Sequence, residues 1–319
     1  MQALSCCVII IVMEGFRILE ITQSSELHVT ANQLTIEQQI EQKKKKKVSI
    51  PLEDLELIIC TGSNIRISTM ALSVMSENKI AVVIIGKDYM PSSIVLPYDA
   101  NVRNASIAKM QLNMNEELKN SLWQKIVQKK IENQAKCLTL LGLDGTKELM
   151  QMIPQVQTGD PSNIEGMAAK FYFQQFHPGL VRRNDDPINS VLNYGYAIVR
   201  NTIIRDIVCA GFYPAIGLHH EGPFNGFNLA DDFIEPWRAM VDIVAHDIVS
   251  SQTNLNREQR KQLTLVLHNA CMINGEKNTI SNGINIMIQS FKTAIEQDDA
   301  DLIKIPDILP VERIEVISE

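Results

Sequence analysis

Between residues 13 and 98 the apolar residues arrive in short β-branched bursts, at 17–22, 27–30, 33–37, 48–50, 55–60 and 80–85, separated by polar turns. Bursts of this length predict strands. Met70, Leu72, Val74 and Met75 predict one short helix over 69–76, just before the last burst. From about residue 104 the pattern lengthens, and over 107–137 and 189–210 apolar residues recur every three or four positions, as in helices that bury one face. Pro187, Pro214, Pro223, Pro236 and the glycine-rich stretch 222–226 punctuate these helices, while Pro306 and Pro310 mark an irregular segment further on. The pattern predicts an α+β chain with a small β-rich N-terminal domain over 13–103 and a larger all-helical C-terminal domain over 104–292. Residues 293–319 are expected to form an acidic tail, and residues 1–12 a disordered or artefactual extension ahead of the first strand.

Composition changes this picture little. With 319 residues, 45% of them apolar, the chain can bury the cores of two modest domains. Its net charge of −7 argues at first against a nucleic-acid partner. Over 296–319, however, eight acids face two bases, so that −6 of the total lies in the tail and the remainder is near neutral. Six scattered cysteines, with no Cys-x-x-Cys pair, fit a reducing cytoplasm. The apolar run 8–12 is far shorter than the roughly 20 residues a membrane helix needs and has no basic leader, so no membrane association is expected. The lysine run 43–47 lies between two strand-like segments and reads as a solvated hairpin, with a phosphate contact as the alternative.

The stretch beginning Pro214-Ala-Ile-Gly-Leu-His-His and ending Asp-Asp-Phe-Ile-Glu-Pro-Trp-Arg238 is unusual for a mere connection. His219 and His220 precede a Gly- and Asn-rich loop that meets a helix start, where Asn228 is a candidate N-cap and Asp231 its capping-box partner. Asp232 and Glu235 stand three apart, so on a helix both project from one face and can converge on a cation. Acids with one imidazole suit Mg²⁺ or Mn²⁺ better than a thiolate-loving metal. On their own such acids more often form a solvated helix face, and loop histidines are more often simply hydrogen-bonded. Upstream, Glu165 falls in the first turn of another helix, with Ser162 a plausible cap; on its own it more often serves there to oppose the helix dipole.

Three separated blocks give these residues a common meaning. Ile164-Glu-Gly-Met-Ala-Ala-Lys-Phe-Tyr-Phe, Asp186-Pro-Ile-Asn-Ser-Val-Leu-Asn-Tyr-Gly-Tyr-Ala, and Gly217-Leu-His-His followed by Asn228-Leu-Ala-Asp-Asp-Phe-Ile-Glu-Pro-Trp-Arg occur in order and at suitable spacing. Together the chain resembles the CRISPR-associated spacer-acquisition integrases, Cas protein one, in the form found in type II systems. Weaker likeness in Ile50-Pro-Leu-Glu-Asp-Leu and Met90-Pro-Ser-Ser-Ile-Val-Leu-Pro extends it into the β-rich half. The leading twelve residues, the lysine run and the acidic tail depart from the family's pattern.

The resemblance implies a metal-dependent DNA endonuclease and integrase that inserts captured fragments into the CRISPR array by attack of a 3′-hydroxyl on a phosphodiester. It places the catalytic and metal-binding roles on Glu165, His220 and Glu235, with Asp232 close by and His219 as the alternative histidine, around Mg²⁺ or Mn²⁺. Lys170, Arg182, Arg183, Arg200 and Arg238 flank the motif blocks as candidate contacts to DNA, both the captured fragment and the repeat with its leader. A homodimer formed through the β-rich domain, with Cas protein two as assembly partner, is implied as well. The competing reading is a catalytically silent DNA-binding scaffold of the same complex.

Overall fold

The structure, a computed structural model, describes residues 8–11, 17–41, 44–86, 90–98, 100–182, 184, 186–249 and 256–311. These divide into two compact units, one up to Val102 and one from Arg103 onward.

The first unit contains two sheets. Strands β1 (Val8–Ile11), β2 (Arg17–Ile21), β3 (Ser25–Thr30), β4 (Gln33–Glu41), β5 (Lys44–Pro51), β6 (Leu55–Cys60) and β7 (Ile65–Ile67) precede helix α1 (Thr69–Glu77), and β8 (Ala81–Ile85) and β9 (Pro91–Val95) follow it. The five-stranded sheet has the order β1-β2-β6-β8-β9 and the four-stranded sheet β5-β4-β3-β7. Parallel pairing of β2, β6 and β8 requires both faces to be covered, which is why β6, Leu-Glu-Leu-Ile-Ile-Cys, is buried at every position. Leu19, Leu27, Ile36, Ile58 and Val82 from both sheets pack with Met75 of α1 in one aliphatic core.

Two expectations change here. Val8–Ile11, placed by the sequence pattern in an extension, pair antiparallel with Ile18–Ile21 as an edge strand. Lys44–Lys47 belong to β5 itself, opposite Glu41, Gln39, Gln38 and Glu37, rather than to a turn; Lys43 lies outside the described residues.

The second unit is mainly helical. Helices α2 (Asn104–Leu112), α3 (Glu116–Leu141), α4 (Thr146–Met152), α5 (Ile164–Phe176), α6 (Pro187–Ala210), α7 (Asn228–Phe233), α8 (Arg238–Val249) and α9 (Arg257–Thr264) lead to strands β10 (Ala270–Ile273) and β11 (Glu276–Thr279), helix α10 (Ile280–Gln297) and strand β12 (Asp307–Ile308). The single helix expected over 107–137 is split because Asn115 caps α3, its side chain accepting from Leu118 N at 2.7 Å. Helix α6 starts with Pro187 behind the Asp186 cap, ends at Gly211 in the left-handed conformation, and is buried nearly all round.

The domain is not all-helical. Strands β11, β10 and β12 form a three-stranded sheet, with Asn274 and Gly275 both at positive φ in the hairpin turn. Nor does an irregular tail begin at residue 293: α10 runs to Gln297, and the following segment is fastened to α3. Lys129 and Lys136 both reach Asp307 Oδ1, at 2.7 and 2.8 Å, while Asn133 bonds Pro306 O and Ile308 N. Among the described residues no helix is long and apolar enough to cross a membrane.

Candidate active site

Helix α3 organises this region because its residues repeat along one buried side. Trp123, Lys130 and Cys137 are seven apart, hence two turns apart on one face, and Asn133 lies one turn beyond Lys130. The chain elements that meet this face supply the residues singled out by the motifs.

The start of α5 sets Glu165. Its N-cap is Asn163, in the left-handed conformation, with a side chain that accepts from Gly166 N at 3.2 Å. Asp160 adds a second cap, its two carboxylate oxygens accepting from Ile164 N at 2.9 Å and Glu165 N at 2.8 Å. Ser162, the expected cap, takes no part. Glu165, anchored in that first turn, receives a hydrogen bond from the Lys130 ammonium.

Glu235 approaches the same ammonium from the other side. Helix α7 ends at Phe233, and Glu235 opens a one-turn 3-10 segment with Pro236 and Trp237; Asp232 and Glu235 engage different partners, Asp232 the histidine loop and Glu235 the Lys130 and Arg238 cations. Glu235 Oε1 accepts from Arg238 Nε at 2.9 Å, and Oε2 contacts Lys130. Asn133 holds this turn by donating to Pro236 O at 2.8 Å. Burial opposes ionisation of Glu235, but the Arg238 guanidinium and Lys130 ammonium outweigh it and hold the carboxyl at about 2. Burial likewise opposes the charge on Lys130, and Glu235 and Glu165 reverse that, raising its pKa.

His220 is placed by Asp232. The fully buried Asp232 carboxylate accepts from Leu218 N at 2.6 Å, His219 N at 3.3 Å and His220 N at 3.1 Å, and pairs with His220 Nδ1 at 2.8 Å. Its oxygens are thereby engaged in shaping the histidine loop. The loop closes so tightly that a Cβ on Gly217 would stand 2.4 Å from His220 O and 2.8 Å from Asp232 Oδ2, which explains the glycine. The hydrogen bond to Asp232 raises the His220 pKa, against partial burial. His219, the other candidate, turns away and stacks on Trp123 at 4.4 Å with the rings 2° from parallel.

Asn228 is the first residue of α7 rather than its cap; its side chain instead ties the loop together, donating to Ala215 O and Gly222 O. Asp231 serves no capping box but binds Arg200 through two contacts, at 2.5 and 3.0 Å. Among the proposed DNA contacts, Arg182 bonds Asn189 and Asn193, Arg238 bonds Glu235, and Lys170 is exposed with no ion-pair partner among the described residues. Arg183 lies outside them.

The structure thus joins Glu165 and Glu235 through Lys130, and sets His220 beside Trp123 at 5.8 Å between ring centroids. Among the described residues no three carboxylate, imidazole or thiol groups converge as a metal would need. Behind Arg238, whose guanidinium lies 4.7 Å from the Tyr196 ring centre, the buried Asp242 accepts from Tyr172 OH at 2.8 Å and from Tyr196 OH. Burial lifts the Asp242 carboxyl to about 6, although both tyrosines bond it.

Lys130, Asn133, Asp160 and Asp242 belong to none of the motifs. For Lys130 one signal existed: a lone cation amid Trp123, Ile126, Val127 and Ile131, on a helix side that is otherwise apolar or uncharged.

Residues 19–274 match the family described as CRISPR associated protein Cas1. A CRISPR-associated endonuclease Cas1 from Neisseria meningitidis serogroup C (strain 8013) is 33% identical over 303 residues, covering 93% of this chain and 98% of the relative. Among solved structures, a casposase bound to integration product superposes with a TM-score of 0.74 at 17% identity, covering 88% of this chain and 91% of that one. A Cas1 protein from Thermotoga maritima gives 0.66 at 16% identity, covering 88% and 97%. A Cas6-RT-Cas1–Cas2 complex gives 0.71 at 21% identity over 93% of this chain but only 37% of the longer one.

Proposed function

Because the chain belongs to the Cas1 family of CRISPR-associated proteins, we propose that it is a metal-dependent DNA integrase and endonuclease of CRISPR adaptation, with Glu165, His220 and Glu235 as its working residues. The observation that carries this reading is the convergence of two carboxylates, from α5 and from the turn after α7, on one buried positive charge.

Glu165 and Glu235 already meet at one cation, the Lys130 ammonium, and as oxygen donors they suit a hard divalent ion; His220 would have to close on them to complete the set. Glu235 Oε2 is buried, and it meets Lys130 outside hydrogen-bonding geometry, so a coordination position is left to be better filled. His220 gives Nδ1 to Asp232, which fixes the ring and leaves Nε2 as the outward-facing donor; a carboxylate behind a ligating imidazole is the usual support for metal binding. Glu165, Glu235 and His220 would hold the ion, and Asp232 would orient rather than bind. When bound, Mg²⁺ or Mn²⁺ supplies Lewis acidity to the attacking hydroxyl and the phosphodiester.

The protein's own contribution is placement. Asp160 and Asn163 lock the turn bearing Glu165, Asn133 locks the turn bearing Glu235, and Arg238 fixes the orientation of the Glu235 carboxylate. Such pre-organisation spares reorganisation when charge grows on the phosphoryl oxygens. Exposed Lys170 on α5 is suited to a phosphate contact, and the Cas1–Cas2 complex among the similar structures supports Cas protein two as partner; pairing of two copies of this chain through the β-rich unit rests on the family resemblance alone.

A strand-joining assay tests the reading. A duplex with free 3′ ends, a supercoiled target carrying a repeat, the purified partner and Mg²⁺ or Mn²⁺ are combined with wild-type protein or Glu165→Gln. Loss of several kcal/mol of charge stabilisation should lower joining about a thousandfold. Equal joining by both proteins would end the integrase mechanism and leave a DNA-binding scaffold.

A further inference from the structure

Lys130 is an odd occupant for the middle of a helix interior. It is only 4% exposed, in a stripe of α3 otherwise filled by Trp123, Ile126 and Val127. It touches both carboxylates that would bind the ion, Glu165 through Oε1 and Glu235 through Oε2. With Arg238, these four side chains sum to zero charge, so the metal-free cluster is neutral without any ion from solution.

The two cations on Glu235 are held very differently. Arg238 is planar, grips Oε1 through both Nε and a terminal nitrogen at 2.9 Å, and lies over the Tyr196 ring at 4.7 Å. Its guanidinium is fixed by geometry. Lys130 is a point charge on a flexible four-carbon stem, and it makes one hydrogen bond, to Glu165. A divalent ion and this ammonium compete for the same two oxygens, and like charges only a few ångströms apart in a closed interior repel strongly.

On the metal reading of the site given above, we infer that Lys130 is a built-in exchangeable counter-ion, which neutralises Glu165 and Glu235 in the metal-free protein and must leave them when a divalent cation binds. Loading is therefore an exchange, and Lys130 sets how much cation is required. The displaced ammonium needs a new anion, and a DNA phosphate entering the site supplies one. Metal and DNA then favour each other's binding, each by the same factor. A protein without DNA holds its metal weakly, which restrains unguided cleavage.

Mn²⁺ titration of the metal-free protein, read by the loss of the free-ion electron paramagnetic resonance signal, tests this without relying on catalysis. Lys130→Met removes the competing charge with little change in bulk, and Lys130→Gln keeps a polar head should the first variant fold poorly. Both should bind Mn²⁺ at least about tenfold more tightly than wild type in the absence of DNA. Both should also melt lower without Mn²⁺ and recover when it is added. For wild type, a short non-reactive DNA duplex should strengthen Mn²⁺ binding; for the two variants the strengthening should largely vanish. Equal or weaker Mn²⁺ binding by both folded variants would overturn the exchange and make Lys130 a plain structural support. If wild type binds Mn²⁺ no better than Glu165→Gln, the metal site itself is refuted, and the exchange with it.

Discussion

In the β-rich unit the core between two sheets and α1 is aliphatic, filled by Leu19, Leu27, Ile36, Ile58 and Val82, and the buried acids Glu20 and Glu56 are not among its members. In the helical unit the interior around α3 holds Lys130, Asp232, Glu235 and Asp242, each 5% exposed or less. An aliphatic core gains stability from every methylene it hides from water. A buried charge gains little and becomes a liability as soon as its partner is lost. The comparison teaches where the molecule spends stability: one unit accumulates it, and the other holds ions in a closed place where they can act.

The sharpest way to break that comparison is to remove one group from each interior. Glu235→Ala strands the Lys130 and Arg238 charges and should lower the unfolding free energy by about 3–5 kcal/mol. Leu19→Ala opens a cavity and should cost about 2–5 kcal/mol. The sizes overlap, but the pH dependence separates them. With the Glu235 carboxyl held at about 2 in the folded protein against an ordinary value of 4.5, its contribution is complete above the unfolded pKa and fades as pH falls from there towards 2. In urea titrations of metal-free protein the Glu235→Ala deficit should therefore shrink with acid, and the Leu19→Ala deficit should not. A deficit equally flat in both variants would erase the distinction between the two interiors.

A smaller and oppositely signed effect comes from Asp242. Its folded pKa of about 6 exceeds the ordinary value of 3.8, so the folded protein binds the proton more tightly, and stability falls as pH rises through that window. The difference amounts to about 3 kcal/mol at most. Asp242→Asn should flatten the urea midpoint between pH 4 and 6; an unchanged slope would show that Asp242 is ionised at no special cost.

The smallest effect is expected at the histidine loop. His219→Ala removes a stacking contact with Trp123 worth about 1 kcal/mol and should leave strand joining nearly intact, whereas His220→Ala should abolish it. The reverse pattern would transfer the ligand role to His219.

Much of this was legible in the chain. The β-branched bursts mark β2, β3, β4, β6 and β8, and the apolar recurrence marks α6, because those patterns record burial by immediate neighbours. The Asn274-Gly275 pair between β10 and β11 is a strong turn signal, but it lies inside a stretch whose surroundings read as helix. The tail departs from its pattern for a different reason: acidic composition predicts solvation, but Asp307 faces Lys129 and Lys136 on a helix far away in sequence. The family resemblance set Glu165, His220 and Glu235 in view, while the parts of Lys130, Asn133 and Asp232 depended on which distant groups came opposite them. Asp232 shows the limit most clearly, for three backbone N–H groups of another loop decide what its carboxylate does.

Asn133 binds Pro236 O, Pro306 O and Ile308 N together, so the turn bearing Glu235 and the strand β12 share one fastener. During synthesis on the ribosome the segments carrying Glu165, His220 and Glu235 are all made before that strand. The turn bearing Glu235 consequently gains this restraint only after translation has passed Ile308, and a nascent chain stalled short of that point carries every motif with that turn still unpinned.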